Sequence, residues 1–149
     1  MLNLPDFHTA GNTGRNVLIG LFDSGFQNAN TIPAYDSLRA RNGILQVFDF
    51  VNNDTGIYDE DWHGTAVMST IAANHPGQLV GTAKDANFIL ARTETVASET
   101  KAEEDNYARA AEWADSLGAD IVHASLAYNT FDNPADNYTY ANLNGDFSI

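Results

Sequence analysis

The chain has 149 residues, 44% of them apolar, and a formal net charge of −13. That length is enough to bury one hydrophobic core. Because so few lysines and arginines are available to neutralise phosphates, we expect neither nucleic acid nor an anionic membrane surface as a partner. The absence of cysteine excludes disulfides, thiolate zinc sites and a cysteine nucleophile.

Short apolar runs predict four strands, and the segments between them predict three helices. The strands are expected at 17–22, 44–50, 87–92 and 120–125, and the helices at 32–40, 63–74 and 102–117. This alternation predicts an α/β domain with a mostly parallel, doubly wound sheet. No periodic pattern continues from 129 to 149, and four strands leave an edge that needs covering. We therefore expect the fold to be incomplete within this chain.

Asp23 is the first candidate functional residue, because it ends a buried strand and is followed by Ser-Gly. Working groups of parallel sheets gather at the carboxyl ends of the strands. From this feature alone, three roles remain open: an aspartate that orients a catalytic group, a ligand of a nucleotide or metal, or a helix cap.

His63 is the second candidate, because it begins the helix predicted at 63–74, most of whose residues are small. The positive end of the helix dipole disfavours an imidazolium, so we expect a neutral ring, as a general base requires. A capping histidine or a hydrogen-bonded core histidine is the alternative. Gly64 favours the functional interpretation, since a residue without Cβ leaves room beside the ring for another segment.

These two features together resemble a known family. Asp-Ser-Gly at 23–25 follows an apolar strand, and His-Gly-Thr-Ala-Val at 63–67 opens a small-residue helix. In this order they resemble the motifs of the subtilisin-like serine peptidases, the subtilases. Weaker similarities at 81–87, 112–122 and 125–127 extend the resemblance over about residues 15–128.

The resemblance implies a serine endopeptidase with a subtilisin-like fold and gives roles to individual residues. Asp23 would orient the imidazole of His63, which would take the proton of a serine hydroxyl and return it to the leaving amine. Ser125, Leu126 and Ala127 would bind substrate, since they match a Ser-Leu-Gly segment whose backbone pairs with the peptide. A second pairing edge would come from 95–98, so that the peptide binds by strand addition.

The sequence departs from the family where the nucleophile should be. A Gly-Thr-Ser-Met-Ala segment and an Ala-Gly-Asn segment carry the family's serine and oxyanion asparagine, and neither is present. Residues 1–149 are thus predicted to be the N-terminal portion of a peptidase domain that ends before both segments and is inactive alone. Ala127 also replaces the family's glycine, and it would be strained if that position needed a positive φ.

The expected partners are a peptide or protein substrate and either the missing C-terminal half of the domain or a second copy of the chain. No cofactor is required for the implied chemistry, and a structural calcium ion is common in the family. Five acids crowd the region 49–61, but their spacing matches no known calcium loop, so we expect a solvated acidic loop. His123 is expected to be buried and hydrogen-bonded.

The location of the protein is left open. The family is commonly secreted or periplasmic, whereas residues 1–6 lack the basic-then-apolar pattern of a signal peptide. Two other functions were weighed. A naturally truncated, non-catalytic domain could act as a peptide-binding or assembly module. A nucleotide-binding domain is disfavoured, because the glycine-containing segment 10–14 precedes the first strand, whereas a phosphate loop follows one.

Overall fold

The structure, a computed structural model, describes residues 3–143. It contains six strands, which are β1 (Leu18–Asp23), β2 (Ile44–Asp49), β3 (Asn74–His75), β4 (Leu79–Val80), β5 (Asn87–Arg92) and β6 (Ile121–Ala124). Its α-helices are α1 (Leu4–Thr9), α2 (Asp36–Ala40), α3 (His63–Ala72) and α4 (Ala102–Ser116). Residues 144–149, the end of the segment expected to lack a pattern, lie outside the described residues.

Four of the strands form one parallel sheet with the order β2-β5-β1-β6. The four predicted strands and the α/β class are therefore confirmed, with strand ends within a residue of their expected positions. The β3–β4 hairpin was not predicted, because its two-residue strands are too short to show a period of two. The helix expected at 32–40 begins with a 3₁₀ turn, Pro33–Tyr35, before α2.

Helices cover both faces of the sheet, which explains why β1 and β5 are apolar almost throughout. On one face, the core is built from side chains of β1, β5 and α3 with the loop after β1, including Leu21, Phe26, Met68, Phe88 and Leu90. On the other face, α4 packs its small residues against the sheet through a cluster that includes Phe22, Ile89, Ala91, Ala110 and Ala114.

The β6 edge of the sheet is open. Among the described residues β6 pairs only with β1, and its side chains Ile121 and Val122 are 51% and 41% exposed. A strand in the interior of such a sheet would have these side chains covered. None of the helices within 3–143 is long and apolar enough to cross a bilayer.

Candidate active site

Asp23 is the last residue of β1 and is only 1% exposed. A buried carboxylate needs hydrogen-bond donors to offset its lost hydration. Its Oδ1 accepts bonds from the Ser24 backbone N–H at 2.8 Å and from the Ser24 hydroxyl at 3.2 Å. The same oxygen lies 2.7 Å from Nδ1 of His63. Asp23 is thus held rigidly, with its carboxylate against the imidazole.

His63 is the first residue of α3, and 42% of its side chain is exposed. With Nδ1 donating to Asp23, Nε2 faces outward as an acceptor and bonds to no residue in the described part of the chain. Gly64 allows this approach, because a Cβ there would lie 2.8 Å from Cβ of Asp23 and would also meet the carbonyl oxygen of Gly25. The glycine therefore lets the start of α3 dock on the end of β1.

The pKa of His63 is shifted in the opposite direction to the one expected from the helix dipole. The hydrogen bond with Asp23 raises the pKa of His63 above its ordinary value, although partial burial opposes this, and the negative charges of Asp23, Asp61 and Glu94 add to the rise. Carboxylates at hydrogen-bond distance act more strongly on the ring than the partial charge of a helix terminus.

Asp61 organises the start of α3. Its Oδ2 accepts the His63 backbone N–H at 2.9 Å and the Ser24 hydroxyl at 2.9 Å. Although partial burial would raise the pKa of Asp61, the hydrogen bonds from His63 and Ser24 lower it. Because Ser24 bonds both Asp23 and Asp61, the two carboxylates are linked through one hydroxyl. Sequence reasoning had placed Asp61 only in a solvated loop.

Ser125, Leu126 and Ala127 follow β6, whose Ala124 is in register with Phe22 of β1. The segment therefore begins at the same end of the sheet as Asp23. The backbone N–H groups of Leu126 and Ala127 donate to no residue in the range 3–143. Ala127 is not among the described non-glycine residues with positive φ, so alanine is unstrained where the family has glycine.

Two expectations about this region are wrong. The segment 95–98 is a turn rather than an extended edge, because the Ser98 N–H donates to the Thr95 carbonyl and the Thr95 N–H to Oε1 of Glu103. His123 is half-buried rather than buried, because β6 is an open edge of the sheet; its Nε2 lies 3.1 Å from Oγ of Ser125.

The acids between 49 and 61 are not one solvated group. Asp49 is completely buried and forms an ion pair with Arg92, with 2.9 Å between Oδ2 and Nη1. Arg92 also pairs with Glu60 at 3.3 Å, and Asp54 accepts the Gly56 N–H. Within the described part of the chain, no group of three or more His, Asp and Glu residues is arranged to hold a metal ion.

Two glutamates that sequence reasoning did not single out lie near this site: the charge of Asp23 acts on Glu94, and Glu103 accepts the N–H of Thr95, the residue after Glu94. Glu94 is half-buried, and burial raises its pKa to about 7, helped by the negative charges of Glu103, Asp23 and Glu99. Glu103, in the first turn of α4, is 3% exposed. The only sequence signal was the run of acidic residues at 103–105, at the start of α4. Such a run is explained equally well by the favourable interaction of negative charges with the helix dipole.

Comparison with known proteins agrees with this geometry. The family model described as "Subtilase family" matches residues 14–148. Subtilisin E of Bacillus subtilis (strain 168) is 31% identical over 127 residues, and subtilisin of Bacillus pumilus is 30% identical over 127 residues. The alignments cover 84% of this chain in both cases, and 30% and 42% of these relatives. The chain thus spans less than half the length of the curated relatives it matches.

Solved structures show the same fold. The MycP3 protease from the type VII (ESX-3) secretion system is 25% identical and superposes with a TM-score of 0.65 over 84% of this chain and 35% of that one. The CspB protease of Clostridium perfringens, at 18% identity, has a TM-score of 0.66 over 86% of this chain and 32% of its own. The fold is therefore that of subtilisin-like proteases, and the chain belongs to the subtilase family.

Proposed function

We propose that this chain supplies the aspartate and histidine of a Ser-His-Asp triad in a serine endopeptidase. The observation that carries the proposal is the 2.7 Å contact between the buried Asp23 carboxylate and Nδ1 of His63, whose other ring nitrogen is turned outward. This is the geometry a general base needs: one nitrogen is fixed by a carboxylate, and the other is free to reach a hydroxyl.

In this proposal the nucleophilic serine comes from polypeptide outside these 149 residues. Nε2 of His63 takes the proton from the serine Oγ as that oxygen attacks the peptide carbonyl. The proton then passes to the leaving amine, and a water molecule repeats the sequence to release the acyl group. Asp23 holds the Nδ1–H tautomer and stabilises the imidazolium that forms in each half-reaction. The 149 residues by themselves would not turn over peptides.

Peptide or protein substrates are proposed to lie along Ser125–Ala127. The N–H groups of Leu126 and Ala127, which bond to no described residue, support this, because a bound peptide strand can accept hydrogen bonds from them. The turn at 95–98 does not offer a comparable row of donors. Main-chain pairing is therefore proposed on one side of the substrate, with no cofactor in the chemistry.

A non-catalytic peptide-binding or assembly module remains the second candidate, because no Gly-Thr-Ser-Met-Ala segment lies within these residues. Labelling with a fluorophosphonate, which reacts with an activated serine, separates the two functions. We expect the intact protein, meaning the complete natural polypeptide that contains this chain, to be labelled and to hydrolyse an unstructured protein such as casein. The isolated 149 residues should do neither.

The histidine is tested in the same intact protein. We expect His63→Ala to lower peptide hydrolysis by at least about 10³-fold and to prevent labelling, while the Kd for an uncleavable peptide changes little. His75→Ala is the matched control, because His75 lies in the β3–β4 hairpin away from Asp23. Unchanged turnover in His63→Ala would exclude the assignment, and an unlabelled intact protein that still binds peptide would favour the non-catalytic module.

A further inference from the structure

Glu94 lies next to the Asp23–His63 pair through the sheet itself. It comes two residues after β5, which is hydrogen-bonded to β1, and the intervening Thr93 donates its N–H to the Asp23 carbonyl at 3.1 Å. The charges of Asp23 and His63 both act on the Glu94 carboxyl. A ligand group that reached Glu94 would therefore lie close to the reacting bond.

The negative charge around Glu94 is not compensated within the described part of the chain. Glu94 accepts no hydrogen bond there, and no lysine or arginine forms an ion pair with Glu94, Glu99 or Glu103. Lys101, which is near in sequence, instead lies over the ring of Tyr138, 4.7 Å from its centroid. The local field is thus negative and open to a cation.

Glu103 adds an independent observation, because it is more than nine-tenths buried and only one of its two carboxyl oxygens accepts a hydrogen bond within the described residues. Its Oε1 accepts the Thr95 N–H at 3.3 Å, whereas Oε2 is buried without a partner among residues 3–143. Leaving a buried polar oxygen unpaired is destabilising, so a ligand that donates to it would be favoured. The bond to Thr95 places the Glu103 carboxyl next to the residue that follows Glu94, and the charge of Glu103 acts on Glu94. We define Glu94, Glu99 and Glu103 as the acidic recess.

The surroundings favour an organic cation with an apolar stem over a metal ion. The described residues provide no group that could hold a metal. Trp62 and Val96, which are 62% and 73% exposed, line a cleft of about 390 Å³ whose wall also includes Thr95, the residue after Glu94, and the ion-paired Arg92. Lysine and arginine side chains pack their methylene groups on such apolar surfaces while the charged end reaches a carboxylate.

We propose that the acidic recess binds the side chain of a lysine or arginine in the substrate, close to the scissile bond, with Glu94 as the residue that determines this specificity. The inference rests on the proposed peptidase function. Glu94 accepts hydrogen bonds from the cation, and Glu103 behind it strengthens the negative field.

The test measures kcat/KM of the intact protein on internally quenched peptides that differ at one residue. Lysine is placed in turn at each of the four positions before the cleaved bond, and norleucine at the same position is the uncharged isostere. We expect lysine to be preferred by at least about 10-fold at one position, which corresponds to about 1.4 kcal/mol. Glu94→Gln should reduce that ratio to near 1, and because the ratio compares two peptides within one variant, a change in basal rate caused by an altered pKa of His63 does not affect it. Glu112→Gln, on an exposed position of α4, is the control that loses the same charge.

A second measurement needs no variant. The groups whose charges act on the Glu94 carboxyl are Asp23 on β1, His63 on α3, Glu103 on α4 and Glu99 in the loop between β5 and α4. The hydroxyl of Tyr128, after β6, is also coupled to the charge of Glu94. Because only the carboxylate form binds a cation, the lysine-to-norleucine ratio should rise as the pH increases through about 7, the pKa of Glu94. The effect of His63 titration on the catalytic step is common to both peptides and cancels in the ratio, whereas the charge of His63 also acts on Glu94. The pH dependence of the ratio should therefore be absent in Glu94→Gln.

The outcomes distinguish this inference from the proposed function. Hydrolysis with a lysine ratio near 1 at all four positions, or a ratio unchanged in Glu94→Gln, overturns the specificity assignment and leaves the peptidase in place. Failure of the intact protein to hydrolyse any peptide overturns both. A preference that disappears in Glu94→Gln but persists in Glu112→Gln supports the recess.

Discussion

At the scale of single residues, the site depends on the hydrogen bonds that replace water around the carboxylate of Asp23. Asp23 is almost fully buried. Its Oδ1 accepts hydrogen bonds from the backbone N–H of Ser24 and from the imidazole of His63. The bond to His63 raises the pKa of that ring. The same contact therefore orients the imidazole and sets the pH at which the ring becomes neutral.

This coupling predicts the behaviour of Asp23→Asn. The base works only when neutral, so kcat/KM of the intact protein should rise as the pH increases through the raised pKa of His63. The asparagine amide removes the negative charge that raised the pKa of His63. The increase in kcat/KM should therefore occur at lower pH in the variant. The wrong tautomer should also lower kcat on the order of 10⁴-fold. Asp115→Asn, an exposed site on α4, should change neither quantity. An unshifted pH profile would contradict the assigned coupling.

At the scale of elements, the site forms where the carboxyl end of β1 packs against the amino end of α3. Their approach is close enough that residue 64 has no room for a side chain. Nearby, the buried pair of Asp49 and Arg92 joins the ends of β2 and β5. Tight packing of this kind transmits small changes, because protein interiors have little free volume.

Gly64→Ala tests this packing. The added methyl group must displace either Asp23 or the Gly25 carbonyl, so we expect a loss of about 1–3 kcal/mol in the free energy of unfolding and a large loss of turnover. Gly56→Ala is the matched control, because its methyl group would meet only the flexible Asp54 side chain, at 3.3 Å. Denaturant unfolding of both variants measures the difference. Equal stabilities would show that the docking of α3 is not tight.

At the scale of the whole molecule, one of the two outer edges of the sheet, the edge at β6, carries exposed apolar side chains. The outer edge of β6 is unpaired among residues 3–143, and Ile121, Val122 and the nearby Leu117 are 40–51% exposed. Exposed strand edges with apolar side chains favour pairing with other chains. The alignments with the curated relatives cover 30% and 42% of the length of those proteins.

The isolated 149 residues should consequently self-associate or aggregate. Sedimentation velocity over a range of concentrations would show species larger than the 16.2 kDa chain. The double variant Ile121→Lys/Val122→Lys should reduce association, because charges on a strand edge oppose edge-to-edge pairing. A compact, monodisperse monomer with a cooperative thermal transition would contradict the expectation.

The sequence by itself determined the four strands of the parallel sheet, the helices α3 and α4, and the family. Apolar runs and the spacing of small residues are local properties, so they predicted the strands, α3 and α4 and put Asp23 and His63 at the ends of elements. Distances between remote residues are not local. Only the tertiary structure decided that Asp23 and His63, forty residues apart, are in contact, and that Asp49 is buried against Arg92. It also decided that residues 95–98 form a turn and that Glu103 is buried, because these arrangements follow from how the whole sheet and its helices pack.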